Sequence, residues 1–230
     1  MNKNIMAALL VSSVLFTVNA QAVPIVGLYN TGEGITVDKT TDTNYQLTNL
    51  SGSSIYGGYG EAAVGSGWPI SPWVADSDTS HWLTPTANRS QSFDPVRNGF
   101  YLWTLAFDLT GFEPSTASFT GRFSADNNAV AYLNGNPIGI ANDFASWYSF
   151  TATSNYFVAG LNTLEFIVVN IKQLSGNPTG LRVEFTSSDV TPIQANALSS
   201  QVPAPGALAL IAVGLLMFAG VEKPRLLASK

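Results

Sequence analysis

The sequence predicts an all-β protein built as a two-sheet jelly-roll sandwich. Between Val23 and Ser188, short alternating or fully apolar runs recur with turn residues between them, and no helical period appears. Only 11% of residues are charged, against about a quarter in a typical soluble domain, while Gly, Ser, Thr and Asn abound. Asn134-Gly135, set between two apolar runs, supplies the positive φ angles of a tight hairpin turn.

Taken in order, the early elements are the looser ones. Residues 24–30, 34–38 and 44–50 read as short strands, and the Gly- and Ser-rich stretch 51–67 reads as a connection. The aromatic-rich segment 100–109 is a strand. Residues 117–125 alternate, with Phe119, Gly121 and Phe123 on one face. Residues 129–140 form the hairpin, and 147–153, 162–171 and 180–187 complete a later set of strands. No internal repeat appears. Strands at this spacing without intervening helices indicate a sandwich or jelly roll.

The two ends read differently from this domain. Residues 1–22 carry Lys3, an apolar stretch to Val18 and a small-x-small cleavage site at Ala20-Gln21-Ala22, the pattern of a signal peptide. Residues 189–202 form a polar linker, and 203–230 hold an uncharged run from Gly206 to Val221, followed by Glu222, Lys223 and Arg225. That run is slightly shorter than the ~20 residues of a free-standing transmembrane helix, and it lacks a polar face. The β domain thus spans 23–188 and is exported.

Charge and chemistry narrow the function. The chain is net −5; without Glu222, Lys3, Lys223, Arg225 and Lys230, 14 acids face 6 bases, so residues 23–202 are near −8. This balance argues against nucleic acid and anionic lipid as partners. With no cysteine, disulfides, thiolate zinc sites and a Cys nucleophile are excluded. The lone His81 builds no His-cluster metal site, and no Gly-x-Ser-x-Gly elbow accompanies it; it reads as a surface or edge residue beside a core Trp. Gly58-Tyr59-Gly60-Glu61-Ala62-Ala63 matches a dinucleotide fingerprint only formally, because no parallel βαβ unit surrounds it. No catalytic residue stands out.

Two kinds of residue remain as site candidates. Asp76 and Asp78, and Asp126 with Asn127 and Asn128, are oxygen-rich clusters that suit either calcium or the capping of turns. The aromatics suit sugar rings, whose apolar faces stack on flat side chains while amides and carboxylates pair with hydroxyls. Trp68 and Trp73 in a Pro-rich loop, and Trp147 and Tyr148 close to Asn142 and Asp143, are the expected exposed ligand-binding set; Trp82 and Trp103 are expected in the core.

Two resemblances add to this reading. Val202-Pro203-Ala204-Pro205, the apolar run and the basic tail resemble the PEP-CTERM sorting signal of Gram-negative bacteria, with Ala204 where Glu is usual and a longer, less basic tail. That resemblance implies an exosortase-type sorting enzyme as partner, transient anchoring in the inner membrane, and delivery to the cell surface or extracellular matrix. A permanent C-terminal anchor is the alternative. The series Tyr29–Gly34, Pro72–Pro85, Tyr101–Phe112, Gly121–Gly139 and Ala159–Asn170 resembles galactose-binding-like jelly-roll domains of secreted proteins, with Tyr45 where Trp is frequent. It implies binding of carbohydrate or protein or a plain structural role, and raises calcium as a structural ion. The combined expectation is a non-catalytic, surface-sorted module that binds or organises extracellular polysaccharide. A purely structural or adhesive matrix protein and a secreted hydrolase are the rivals.

Overall fold

The computed structural model describes residues 20–65 and 67–194. The apolar core of the signal peptide and the sorting motif Val202–Pro205 lie outside the described residues. Ten strands follow in chain order: β1 (Thr40–Ser51), β2 (Gly57–Ala63), β3 (Trp82–Thr84), β4 (Gly99–Asp108), β5 (Phe112–Asp126), β6 (Asn128–Leu133), β7 (Asn136–Ala141), β8 (Tyr148–Thr153), β9 (Leu161–Asn170) and β10 (Gly180–Pro192). All pairings between them are antiparallel, in the order β7-β6-β9-β4-β1-β2-β3-β10-β5-β8.

This ribbon curls into two facing layers. Phe123 on β5 meets Phe166 on β9 at 5.5 Å between ring centroids, and Phe150 on β8 meets Phe166 at 5.8 Å. Those strands stand far apart in the sheet order, so the rings touch only because β7-β6-β9-β4-β1-β2 packs face to face on β3-β10-β5-β8. The far edges, β7 and β8, also meet: a Cβ on Gly139 would lie 2.7 Å from the Phe150 Cβ. The sandwich is therefore nearly closed, which leaves little unpaired edge.

The inward residues are those the alternation selects. Along β4, Tyr101, Trp103, Leu105 and Phe107 are buried while Leu102, Thr104 and Ala106 face out; β9 repeats the pattern with Leu164, Phe166 and Val168 inside. Asn134 and Gly135 adopt φ of 49° and 79° and turn β6 into β7, as expected.

Three early elements depart from expectation. Residues 24–38 form no strand beyond one bridge between Val23 and Val190; Gly27, Gly32 and Gly34 sit at positive φ and break the extension. The segment is instead held along β10, through Ile25 N–H to Ser188 Oγ and Thr31 N–H to the Val183 carbonyl. Within the Gly-rich 51–67, residues 57–63 are a true strand. Gly60 is required there, because a Cβ would fall 2.4 Å from the Trp103 indole. Strand β10 continues to Pro192, past the expected domain edge at Ser188.

Candidate functional site

Strand register assembles the site on the outward face of the larger layer. Tyr132 pairs with Glu165, Glu165 with Thr104, Thr104 with Gln46, and Gln46 with Tyr59. Directly opposed residues of antiparallel strands place their side chains on the same face, ~4.8 Å apart from strand to strand. These five residues therefore form one row across β6, β9, β4, β1 and β2, about 19 Å from end to end. Tyr59 is 46% exposed, and Tyr132 is half-buried. None of the five side chains hydrogen-bonds or forms an ion pair with another described residue. Such polar groups are hydrated in the free protein and available to a ligand.

A second row lies beside the first. Ile140, Val130, Ile167, Leu102 and Thr48 oppose one another in turn across β7, β6, β9, β4 and β1. Val130, Ile140, Ile167 and Val169 floor a cleft of about 410 Å³, with Tyr132 at one wall and Asn98, Asn128 and Asn142 at the other. No charged side chain lines it. The Asn128 Oδ1 is buried with no partner among the described residues. At the opposite end of the polar row, Tyr29, Asn44, Gln46, Tyr59 and Thr104 line a depression of about 260 Å³. The face thus grades from an apolar cleft to an amide- and hydroxyl-rich hollow, with Glu165 the one carboxylate of the polar row.

Of the expected ligand-binding set, Asn142 alone lines this cleft, joined by Asn128 from the oxygen-rich cluster. Trp68 and Trp73 are 4% and 6% exposed, which overturns the expectation that they face solvent. Their loop folds back, and Trp73 packs on Trp68 at 5.2 Å and on Trp82 at 4.3 Å. A Pro-rich loop looks exposed in sequence, but three indoles cluster more favourably than they hydrate. The Arg122 and Arg182 guanidinium groups both lie over the Trp147 ring, at 4.4 and 4.9 Å. The Tyr148 hydroxyl donates to Asp143 Oδ2 at 2.6 Å and holds that carboxyl below the usual range, while Ala145 N–H donates to Oδ1. Asp143 and Tyr148 therefore close their own loop, while Trp147 is engaged by arginines of β5 and β10.

The two clusters weighed for calcium differ in their surroundings. Asp76 accepts a hydrogen bond from His81 Nδ1 at 2.9 Å. His81, expected at the surface or an edge beside a core Trp, is 8% exposed, and its neighbour Trp82 is core as expected. Asp78 is exposed. Asp126 is 5% exposed, and burial, partly offset by the Trp73 indole, pushes its carboxyl up to about 7. Among the described residues no three His, Cys, Asp or Glu come together as a metal site.

No protein-family model matches the chain, and no curated protein matches it in sequence. Solved structures overlap it, two of them carbohydrate-related. A PA14 sugar-binding domain from an RTX adhesin is 14% identical over 44% of this chain, at a TM-score of 0.25, and the chain spans only 55% of that domain's length. A family 35 carbohydrate binding module from an environmental isolate is 11% identical over 64% of this chain and 96% of its own, at a TM-score of 0.29. Neither overlap assigns a fold or a ligand to this chain; the architecture rests on the strand pairing given above.

Proposed function

We propose that this chain is a non-catalytic carbohydrate-binding β-sandwich of the galactose-binding-like kind, and that it engages extracellular polysaccharide on the outward face of β6-β9-β4-β1-β2. The observation that carries this reading is the row Tyr132–Glu165–Thr104–Gln46–Tyr59. Two tyrosines flank three side chains that supply donors and acceptors without protein partners. A polysaccharide laid along the row stacks ring faces on the tyrosines and directs hydroxyls to Glu165, Thr104 and Gln46. The row's length, about 19 Å, accommodates several linked sugars.

In the same reading, the chain is exported by residues 1–22, anchored transiently in the inner membrane by 206–221, and processed at Val202-Pro203-Ala204-Pro205 by an exosortase-type enzyme before display at the surface of a Gram-negative bacterium. Strand contacts that begin at Val23, directly after Ala22, support a cut at that point. A glycan-array screen of the purified protein, with and without calcium, tests the binding. A carbohydrate signal lost on Tyr59→Ala or Tyr132→Ala is the expected result. Absence of any signal under both conditions rejects it in favour of a structural matrix role.

A further inference from the structure

Three connections gather at one end of the sandwich: residues 52–56 between β1 and β2, 94–98 before β4, and 171–179 between β9 and β10. Each raises an apolar side chain into solvent. Ile55 is 89% exposed, Leu174 86% and Val96 74%; Ile55 and Leu174 are the most exposed large apolar side chains of the described residues. A single exposed apolar residue is ordinary, but three on adjoining tips are not.

The tips are held together. Asp94, fully buried, accepts from Ser53 N–H and Ser54 N–H at 3.2 Å on Oδ1, and from Asn170 Nδ2 at 3.0 Å and the Tyr101 hydroxyl at 2.7 Å on Oδ2. Arg97 donates to the Gly52 carbonyl, and Lys172 N–H donates to Asn98 Oδ1 at 2.9 Å. The buried Asp94 carboxylate braces the first two loops against the end of β9, and the Lys172–Asn98 bond ties in the third, so the apolar tips are ordered before any ligand arrives.

Charge sets this end apart. Arg97 and Lys172 stand beside Val96 and Leu174, both exposed and neither paired with a carboxylate. The three loops hold no exposed acid, since Asp94 is their only one. A domain near −8 overall therefore carries a locally cationic end tipped with aliphatic side chains. Net charge argued against anionic lipid; the fold concentrates two free cations where three apolar tips converge.

We infer that this loop end docks on a bilayer bearing anionic headgroups. Ile55, Val96 and Leu174 enter the headgroup–acyl boundary, and Arg97 and Lys172 pair with the lipid charges around them. The chain leaves β10 at Pro192, beside Phe112, at the other end of the strands from Gly180, so the tips and the start of the linker are at opposite ends of the sandwich. The apolar tips and the two cations lie outside the polar row, although Asn98 and Ile171 at the base of these loops also line the adjoining cleft, and failure of this docking leaves the carbohydrate reading untouched.

The chain has no cysteine, so Leu174→Cys in the full chain carries a polarity-sensitive dye at one point, and Ser115→Cys, exposed at the opposite end, is the reference. With vesicles of phosphatidylcholine containing about one-third phosphatidylglycerol, the dye at 174 shifts to the blue and the dye at 115 does not. Adding Arg97→Gln and Lys172→Gln raises the lipid needed for that shift about 30-fold, the loss of two cations near a charged surface. No shift at 174 overturns the proposal. So does an equal shift at 115, as insertion of another part of the chain would give, or an equal shift on phosphatidylcholine alone.

Discussion

Glu165 on β9 lies directly opposite Thr104 on β4, on the outer face of the sheet, and no described residue bonds to either side chain. Both side chains face solvent, and with tyrosines at both ends of their row they offer a ligand hydrogen-bonding groups that no described residue occupies. Glu165→Gln keeps the shape and removes the charge. We expect it to weaken binding of the glycan found by array several-fold, with the urea midpoint unchanged, because exposed substitutions of this kind stay within about 0.5 kcal/mol. Titration calorimetry and urea melts read the two quantities separately.

The tyrosines at the ends of the row bear the stacking. Tyr59→Ala and Tyr132→Ala are each expected to cost about tenfold in affinity, or ~1.4 kcal/mol, with the fold intact by circular dichroism. Retention of full affinity in either variant removes that end from the site.

Trp73 gives the opposite prediction. Its ring is enclosed by Trp68, Trp82 and Phe144, so Trp73→Ala opens a cavity and is expected to cost about 3–5 kcal/mol of stability. Were it the solvent-facing platform that its loop suggests in sequence, the same change would lower affinity and leave the urea midpoint in place.

Asp126 makes stability depend on pH. Burial beside Trp73 pushes its carboxyl up to about 7, whereas an unfolded Asp titrates near ~3.9. Between those values the native state holds a proton that the unfolded state has released. The stability from this group is therefore complete below about pH 4, declines as pH rises to about 7, and is flat beyond. Asp126→Asn should remove this decline. Relative to the parent, its unfolding free energy should rise on the order of 3–4 kcal/mol between pH ~4 and pH ~7.5. Parallel pH profiles for the two proteins, followed by urea unfolding, contradict the account.

Glu184 acts with the other sign. Burial opposes its charge, but the Ser80 hydroxyl and the Arg122 guanidinium outweigh that and hold its carboxyl below the usual Glu range. Its contribution is present above the normal Glu value and lost as pH falls through the depressed one. Its partner Arg182 is 1% exposed and gives its donors to Ser77, Ser80, Glu184 and the Val74 and Ala75 carbonyls. Arg182→Met leaves Glu184 partly uncompensated and is expected to cost about 3–5 kcal/mol, measured at neutral pH by urea unfolding.

The sandwich was legible because most of its strands alternate cleanly. Strands β4, β6, β7 and β9 were read within a residue or two, and the Asn134-Gly135 turn was read outright. Strand β2 was hidden by its glycines, of which Gly60 serves to clear Trp103, a need that exists only in the folded state. The site was largely illegible for a different reason. Leu102, Val130 and Ile167 are as apolar as the core residues beside them, so the outward face of β4, β6 and β9 looks like interior in sequence. Gln46, Thr104 and Tyr132 become neighbours only through register between strands far apart in the chain, which no local pattern encodes. Asn142 was singled out by its place in a loop and lines the cleft; Trp68 and Trp73 were expected in solvent because loop composition does not show when a loop folds onto the domain.

The most direct test of the account is calorimetric titration of the array-selected glycan into the Tyr59→Ala, Tyr132→Ala double variant beside the parent chain. Loss of affinity by about 100-fold, ~2.8 kcal/mol, with an unchanged urea midpoint is the expected result. Undiminished affinity in the folded double variant contradicts the assignment of the site to this face of the sheet.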